Sequence, residues 1–188
     1  MSWMRAYEAT LARVKEHIPA DANALEVGCG TGTTALKLAP YLKHLTASDI
    51  SGKMIDIAEG KRVNEGVTNV DFVRATLQEN DFTLADYDVV LAFNFLHLTD
   101  DIPSSLDAIH ALTKPGGLFI SKTVCLGDWN IFLSLMIKGM QLIGKAPPVK
   151  IFKADALDAM VNAAGFDIFE SDYFPKKARN RFLVARKR

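Results

Sequence analysis

The chain has 188 residues, 49% of them hydrophobic, with 22 basic and 22 acidic side chains and two cysteines. That is enough apolar material for one compact domain and too little chain for two. The cancelled charge excludes the strong positive field of a dedicated nucleic-acid binder, and two cysteines suit free thiols in a reducing, cytoplasmic setting better than a disulfide framework.

Met4, Tyr7, Leu11, Val14 and Ile18 recur at helical spacing and predict a helix over 2–18 with one apolar stripe. Its charges, from Arg5 to Glu16, are not those of a signal peptide or an anchor. A strand follows over 23–28 and breaks into the loop Gly28-Cys29-Gly30-Thr31-Gly32 before a helix over 32–42. Glycine allows a positive φ where strand turns into helix and lets a ligand approach the backbone, so the loop predicts a nucleotide-shaped ligand. The spacing is G-x-G-x-G rather than the G-x-G-x-x-G that seats a pyrophosphate, so a diphosphate is disfavoured.

A strand over 45–49 ends in Asp49, about 20 residues past the loop, the interval at which a carboxylate meets ribose hydroxyls. A vicinal diol offers two donors and a carboxylate two acceptor oxygens. Asp49 is equally placed to cap the helix over 52–65. Strands over 69–74 and 87–93 come next; the second, continuously apolar, is of the kind buried on both faces. A helix over 101–112 is stopped by Pro115, and Gly116-Gly117 turn the chain into a strand over 117–124. Helices over 129–143 and 154–164 precede strands over 166–174 and 180–187, whose joint at 175–179 is too short for a parallel crossover. Alternating strands and helices predict an α/β domain with helices on both faces of a mostly parallel sheet, closed by an antiparallel final strand.

Five stretches, Leu25 to Thr33 with Glu26 two before the first glycine, His44 to Ile50, Val70 to Leu77, Tyr87 to Leu98, and Leu112-Thr113-Lys114-Pro115-Gly116-Gly117, together resemble the class I S-adenosylmethionine (SAM) dependent methyltransferases of small molecules, the type 11 and quinone-biosynthesis-like group. The resemblance implies one Rossmann-like three-layer domain over 1–188, with a seven-stranded mostly parallel sheet, an N-terminal helix within 1–20 and a substrate-covering insertion over 125–150. It implies SAM as cofactor, S-adenosylhomocysteine as product, and contacts from Glu26, Gly28, Cys29, Gly30, Gly32, Asp49, Ile50, Met54, Thr76, Leu77, Phe93 and Asn94. Glu26 would hold the loop and the ligand's amino group, Asp49 the ribose, and Ile50 and Met54 the adenine. Thr76 stands where the family carries an aspartate that reaches the adenine amino group, a departure from the pattern. Asn94 does not begin Asn-Pro-Pro-Tyr, which disfavours adenine and glutamine amides as acceptors.

Methyl transfer is an in-line displacement on an activated carbon and asks mainly for alignment in a dry site. His97, just past the 87–93 strand, is the best-placed base, with a satisfied buried histidine as the plainer reading. Trp3 or Tyr7 of the first helix could touch cofactor or substrate, or the stripe could simply pack on the sheet. His17, His44 and His110 carry no such signal, and no Cys/His cluster has metal-ligand spacing. The greasy segment from Trp129 to Gly144 is too short to span a bilayer. It reads as a helix packed on the sheet or on a second copy, as a lid over a hydrophobic acceptor, or as an interfacial contact with lipid aided by Lys145 and Lys150. The expectation is a monomer or homodimer acting on a small, hydrophobic molecule. Its rivals are a non-catalytic SAM binder, an aminopropyltransferase, which lacks its acidic residues at Asn94-Phe95, and a nicotinamide oxidoreductase. The last would use Tyr173 and Lys177, but Pro175 breaks the helix that must carry both.

Overall fold

The computed structural model describes residues 3–77, 82–128, 150–174 and 180–188. Among them run helices α1 (Trp3–Lys15), α2 (Thr33–Leu38), α3 (Gly52–Glu65), α4 (Ile102–Leu112) and α5 (Ala154–Ala163), and strands β1 (Asn23–Val27), β2 (His44–Asp49), β3 (Val70–Arg74), β4 (Tyr87–Phe93), β5 (Thr113–Val124), β6 (Phe166–Tyr173) and β7 (Asn180–Lys187). The sheet is seven-stranded in the order β3-β2-β1-β4-β5-β7-β6, a doubly wound arrangement whose order reverses between β1 and β4. β1 to β5 pair in parallel, and β7 lies antiparallel between β5 and β6. This is the expected Rossmann-like topology.

Two apolar layers hold it. Leu11 and Val14 of α1 and Ala35 and Leu38 of α2 close over one face with Leu45, Leu91, Ile120 and Phe182. Leu106 and Ile109 of α4 and Leu157 and Val161 of α5 close over the other with Leu25, Val90, Phe119 and Leu183. Alternate residues of β4, Val89 and Leu91 against Val90 and Ala92, feed opposite layers, which explains why the strand reads as a hydrophobic run without polar alternation. Among described residues no helix is long and apolar enough to cross a membrane.

Several boundaries differ from the sequence reading. α1 stops at Lys15, and Met4 stays 57% exposed; Tyr7, Leu11, Val14 and, just past the helix, Ile18 pack on the core as expected. The 32–42 helix is α2 followed by a 3-10 turn, Ala39–Tyr41, because Pro40 cannot donate within a continuing helix. α4 ends at Leu112, three residues before Pro115, where the Thr113 hydroxyl donates to the Ile109 carbonyl at 2.7 Å. Thr113 already pairs with Tyr87, so Pro115 lies inside β5 and does not stop the helix itself. The 129–143 helix, Trp129, Lys145 and Lys177 lie outside the described residues.

Candidate functional site

The strands that meet at the order reversal end together, and there the chain builds a crevice. At the end of β1 the backbone passes through Gly28, Gly30 and Gly32 with φ of +69°, +54° and +71°, left-handed values that L side chains rarely adopt. The three glycines serve different ends. A Cβ on Gly28 would sit 2.6 Å from the Phe95 ring, and one on Gly32 would meet Phe72 at 2.5 Å and Ala58 at 2.8 Å, so these two are bare because protein packs on them. Only Gly30 faces open space, with nothing within 4 Å of where its Cβ would stand. Close packing thus adds a second reason for glycine at positions 28 and 32, beside the left-handed backbone that all three share.

The loop is pinned from several sides. The Cys29 N–H donates to the Ser48 carbonyl at 2.9 Å, and the Lys61 ammonium of α3 donates to the Thr31 carbonyl and to the Thr31 and Thr33 hydroxyls, each at 2.9 Å. Asp49 ties it to β2: one carboxylate oxygen accepts the Gly30 N–H at 2.9 Å, the other the Ser51 N–H at 2.9 Å. Asp49 is therefore not the cap of α3, whose capping position is Ser51. A carboxylate oxygen has two lone pairs, so each oxygen keeps one acceptor site beyond these amides.

Beneath the loop lies Glu26, 2% exposed, in register with Ala47 and Leu91. Its Oε2 has no hydrogen-bond partner, and burial pushes its carboxyl up to about 8. The Tyr7 phenol of α1 and the Cys29 thiol are both pushed up chiefly by their own burial, and an ionised Glu26 would push them further. Tyr7 is tied to the start of α2 by a 3.1 Å hydrogen bond to the Thr34 hydroxyl, which brings α1 to the loop.

A cavity of about 500 Å³ opens beside the loop. Of the residues expected to hold cofactor, Gly28, Asp49, Ile50, Thr76, Leu77 and Asn94 line it. Ile50, 69% exposed, and Leu98, 53% exposed, both line it, so apolar surface is available to a flat ring. Asn94 adopts φ +53°, a left-handed conformation asparagine tolerates better than most residues, and this turns the chain sharply out of β4 so that Phe95 covers Gly28. Glu26, Cys29, Gly30, Gly32, Met54 and Phe93 are not part of the cavity wall: Gly30 is at the open side of the loop, Met54 is 40% exposed on the first turn of α3, and Phe93 packs into the α1 layer.

His97 sits in the 3-10 turn Leu96–Leu98, which follows Asn94 and Phe95. Its ring is partly buried, its Nδ1 has no partner, and burial holds its pKa below the ordinary imidazole value, so the neutral base is the favoured form. The Lys150 N–H donates to its backbone carbonyl at 2.9 Å. The Gly127 N–H donates to the Phe152 carbonyl at 2.8 Å.

Residues that the sequence reading missed include Phe95, Lys61, and Ser105 and Asp101 at the start of α4, where Asp101 Oδ1 accepts the Ser104 N–H at 3.2 Å. Phe95 adjoins the strand-end motif and had a positional signal; Lys61 had none. A second concavity, about 400 Å³, lies at the opposite end of the central strands beside the Lys114–Asp88 pair, away from the carboxyl ends where open α/β sheets bind ligands. Tyr173 ends β6 and donates to Asp128 at 2.9 Å, far from a catalytic helix of the dehydrogenase kind. Among described residues no group of acidic, His and Cys side chains is arranged to hold a metal.

A glycine loop after β1, a carboxylate closing β2 and a crevice at the order reversal define a class I methyltransferase fold. The chain belongs to the methyltransferase domain family, whose model matches residues 24–117. It is 26% identical over 101 residues to the uncharacterized methyltransferase YcgJ of Bacillus subtilis, covering 54% of this chain and 40% of that protein. It is 31% identical over 198 residues to clavatol synthase claF of Penicillium crustosum, covering 97% of this chain and 8% of that protein. The chain thus spans less than half of these relatives. The crystal structure of YcgJ superposes with a TM-score of 0.79 at 16% identity, covering 96% of this chain and 99% of that one. Geranyl diphosphate C-methyltransferase of Streptomyces coelicolor, solved with Mg2+, geranyl diphosphate and S-adenosylhomocysteine, superposes with a TM-score of 0.82 at 11% identity, covering 98% of this chain and 80% of that one. At these identities the structures share the fold.

Proposed function

We propose that this methyltransferase uses SAM and transfers its methyl group to a small, hydrophobic acceptor. The observation that carries the reading is the concurrence, around one loop, of an orphaned buried carboxyl at Glu26, open backbone at Gly30 and a carboxylate with spare acceptor sites at Asp49. These fit the two polar ends of a nucleoside amino acid. Asp49 accepts from ribose hydroxyls, Glu26 accepts from the amino group, and Ile50 and Leu98 flank the adenine.

When bound, SAM would be held by Asp49, Gly30 and Glu26 and would supply a sulfonium-activated methyl group, its thioether being the leaving group. The protein's share is alignment and exclusion of water. Phe95 and Leu98 present apolar surface at the mouth of the cavity. His97, neutral and unpartnered at Nδ1 in the turn between the lining residues Phe95 and Leu98, is the base for a phenol, hydroxyl or acidic carbon; it does not itself line the cavity, so this role requires its covered ring to turn toward the acceptor. Likeness to the polyketide synthase PksM of Bacillus subtilis and the fold shared with geranyl diphosphate C-methyltransferase support an apolar acceptor.

The test is turnover: the protein incubated with methyl-labelled SAM and a panel of phenols, polyketide-like acids and prenylated alcohols. Label transfer with stoichiometric S-adenosylhomocysteine supports the enzyme. Tight cofactor binding with no transfer to any acceptor class would replace it with a non-catalytic SAM binder.

A further inference from the structure

Glu26 presents a problem of charge. Its carboxyl is 2% exposed and flanked in the sheet by Ala47 and Leu91, and Oε2 has no partner. The titratable groups facing it are the Tyr7 phenol from α1 and the Cys29 thiol from the loop, with the Asp49 carboxylate just beyond Cys29. Burial holds the phenol and the thiol in their neutral forms, Asp49 would repel a second anion, and no basic side chain pairs with Glu26 among the described residues. An ionised carboxylate has nothing here to offset its desolvation, so the unliganded protein keeps Glu26 protonated, in line with a carboxyl pushed up to about 8.

We propose that Glu26 waits as a neutral carboxylic acid for a primary amine, and that seating the cofactor's amino-acid end on it expels one proton to solvent. This rests on the SAM reading above and adds to it a selection rule: the pocket favours ligands that bring their own positive charge. The balance is simple. Before binding, the carboxyl carries one proton and the α-ammonium, ordinarily titrating near 7.7–8.0, carries its extra one. After binding, the pair shares a single proton, whether written as carboxylate with ammonium or as acid with amine, and the other proton goes to buffer.

The experiment is isothermal titration calorimetry near neutral pH in two buffers of different ionisation enthalpy, phosphate and Tris, with the full chain. S-adenosylhomocysteine, which has the α-amino group, and 5′-methylthioadenosine, which has the nucleoside but no amino acid, are the probes. Expected for the unaltered protein is release of close to one proton with the first and close to none with the second, and none with either for E26Q. The affinity for S-adenosylhomocysteine also rises with pH up to about 8 in the unaltered protein and not in E26Q. S-adenosylhomocysteine binding with a heat independent of buffer overturns the proposal and leaves the SAM reading standing. No binding of either probe overturns both.

Discussion

The three loop glycines give a sharp test, because the structure assigns them different costs. Alanine at Gly30 keeps φ near +54° with nothing within 4 Å of its Cβ, so its only folding cost is the left-handed conformation, roughly 1–2 kcal/mol. Alanine at Gly32 bears the same conformational cost and also drives a methyl to 2.5 Å from Phe72 and 2.8 Å from Ala58, itself fully buried and unable to yield. Overpacking of that kind adds about 1–3 kcal/mol, for a total of about 2–5 kcal/mol. For a chain of this length 1 kcal/mol moves Tm by about 2–4 °C, so G30A loses about 2–8 °C and G32A about 4–20 °C. Cofactor binding reverses the order. The G30A methyl stands on the open side of the loop and lowers S-adenosylhomocysteine affinity by at least about tenfold, the equivalent of one displaced contact of about 1.4 kcal/mol. Differential scanning fluorimetry with and without S-adenosylhomocysteine reads both effects at once. If G32A is no less stable than G30A, or if G30A binds as well as the unaltered protein, the division of labour among the glycines is wrong.

Asp49→Asn puts an amide NH2 against either the Gly30 or the Ser51 N–H, which each now donate at 2.9 Å, so it leaves a donor unsatisfied at about 1–3 kcal/mol and removes a ribose acceptor. Titration with S-adenosylhomocysteine should show at least about a tenfold weaker Kd, and an unchanged Kd would remove Asp49 from the ribose site. Glu26 titrates near 8 when folded and near its ordinary 4.5 when unfolded, so the native chain holds a proton that the unfolded chain gives up. Native stability therefore falls as pH rises between those values, by up to about 1.4 kcal/mol per pH unit, and levels off above them. Urea midpoints measured across that window should show E26Q gaining on the unaltered protein as pH rises; a gap independent of pH contradicts a protonated Glu26. His97→Gln should lower kcat by about 10²–10⁴-fold with the cofactor Kd unchanged. Because burial lowers the His97 pKa, the acid limb of kcat in the unaltered protein should fall below the ordinary imidazole value of 6.5. An unaltered kcat in the variant assigns the ring to structure.

Much of this architecture was legible because local chemistry sets it. The helix predicted over 52–65 is α3, Gly52–Glu65, bounded by Ser51 and by Gly66 at φ +66°. The unbroken apolar run at 87–93 is β4, because a strand covered on both faces has no polar alternation to lose. The boundary at 112–117 was misplaced by reading proline and glycine as punctuation. Pro115 and Gly116 sit within β5, since Thr113 had already paired with Tyr87 across the sheet, a contact no local window contains. Likewise Glu26, Gly30 and Asp49 were readable from motif spacing, whereas the Phe95 ring over Gly28 and the Lys61 clamp on Thr31 join residues that only the fold brings together. The orphaned state of Glu26 Oε2 was equally out of reach, because it depends on the surroundings of the buried carboxyl and not on which residue stands there.

The most direct test of the account is a crystal structure of the protein with S-adenosylhomocysteine. The account predicts ribose hydroxyls on the Asp49 carboxylate, adenine between Ile50 and Leu98, and the amino group on Glu26 beneath the Gly30 backbone. A ligand lodged anywhere else, or a crevice that Phe95 keeps filled at saturating ligand, would contradict it.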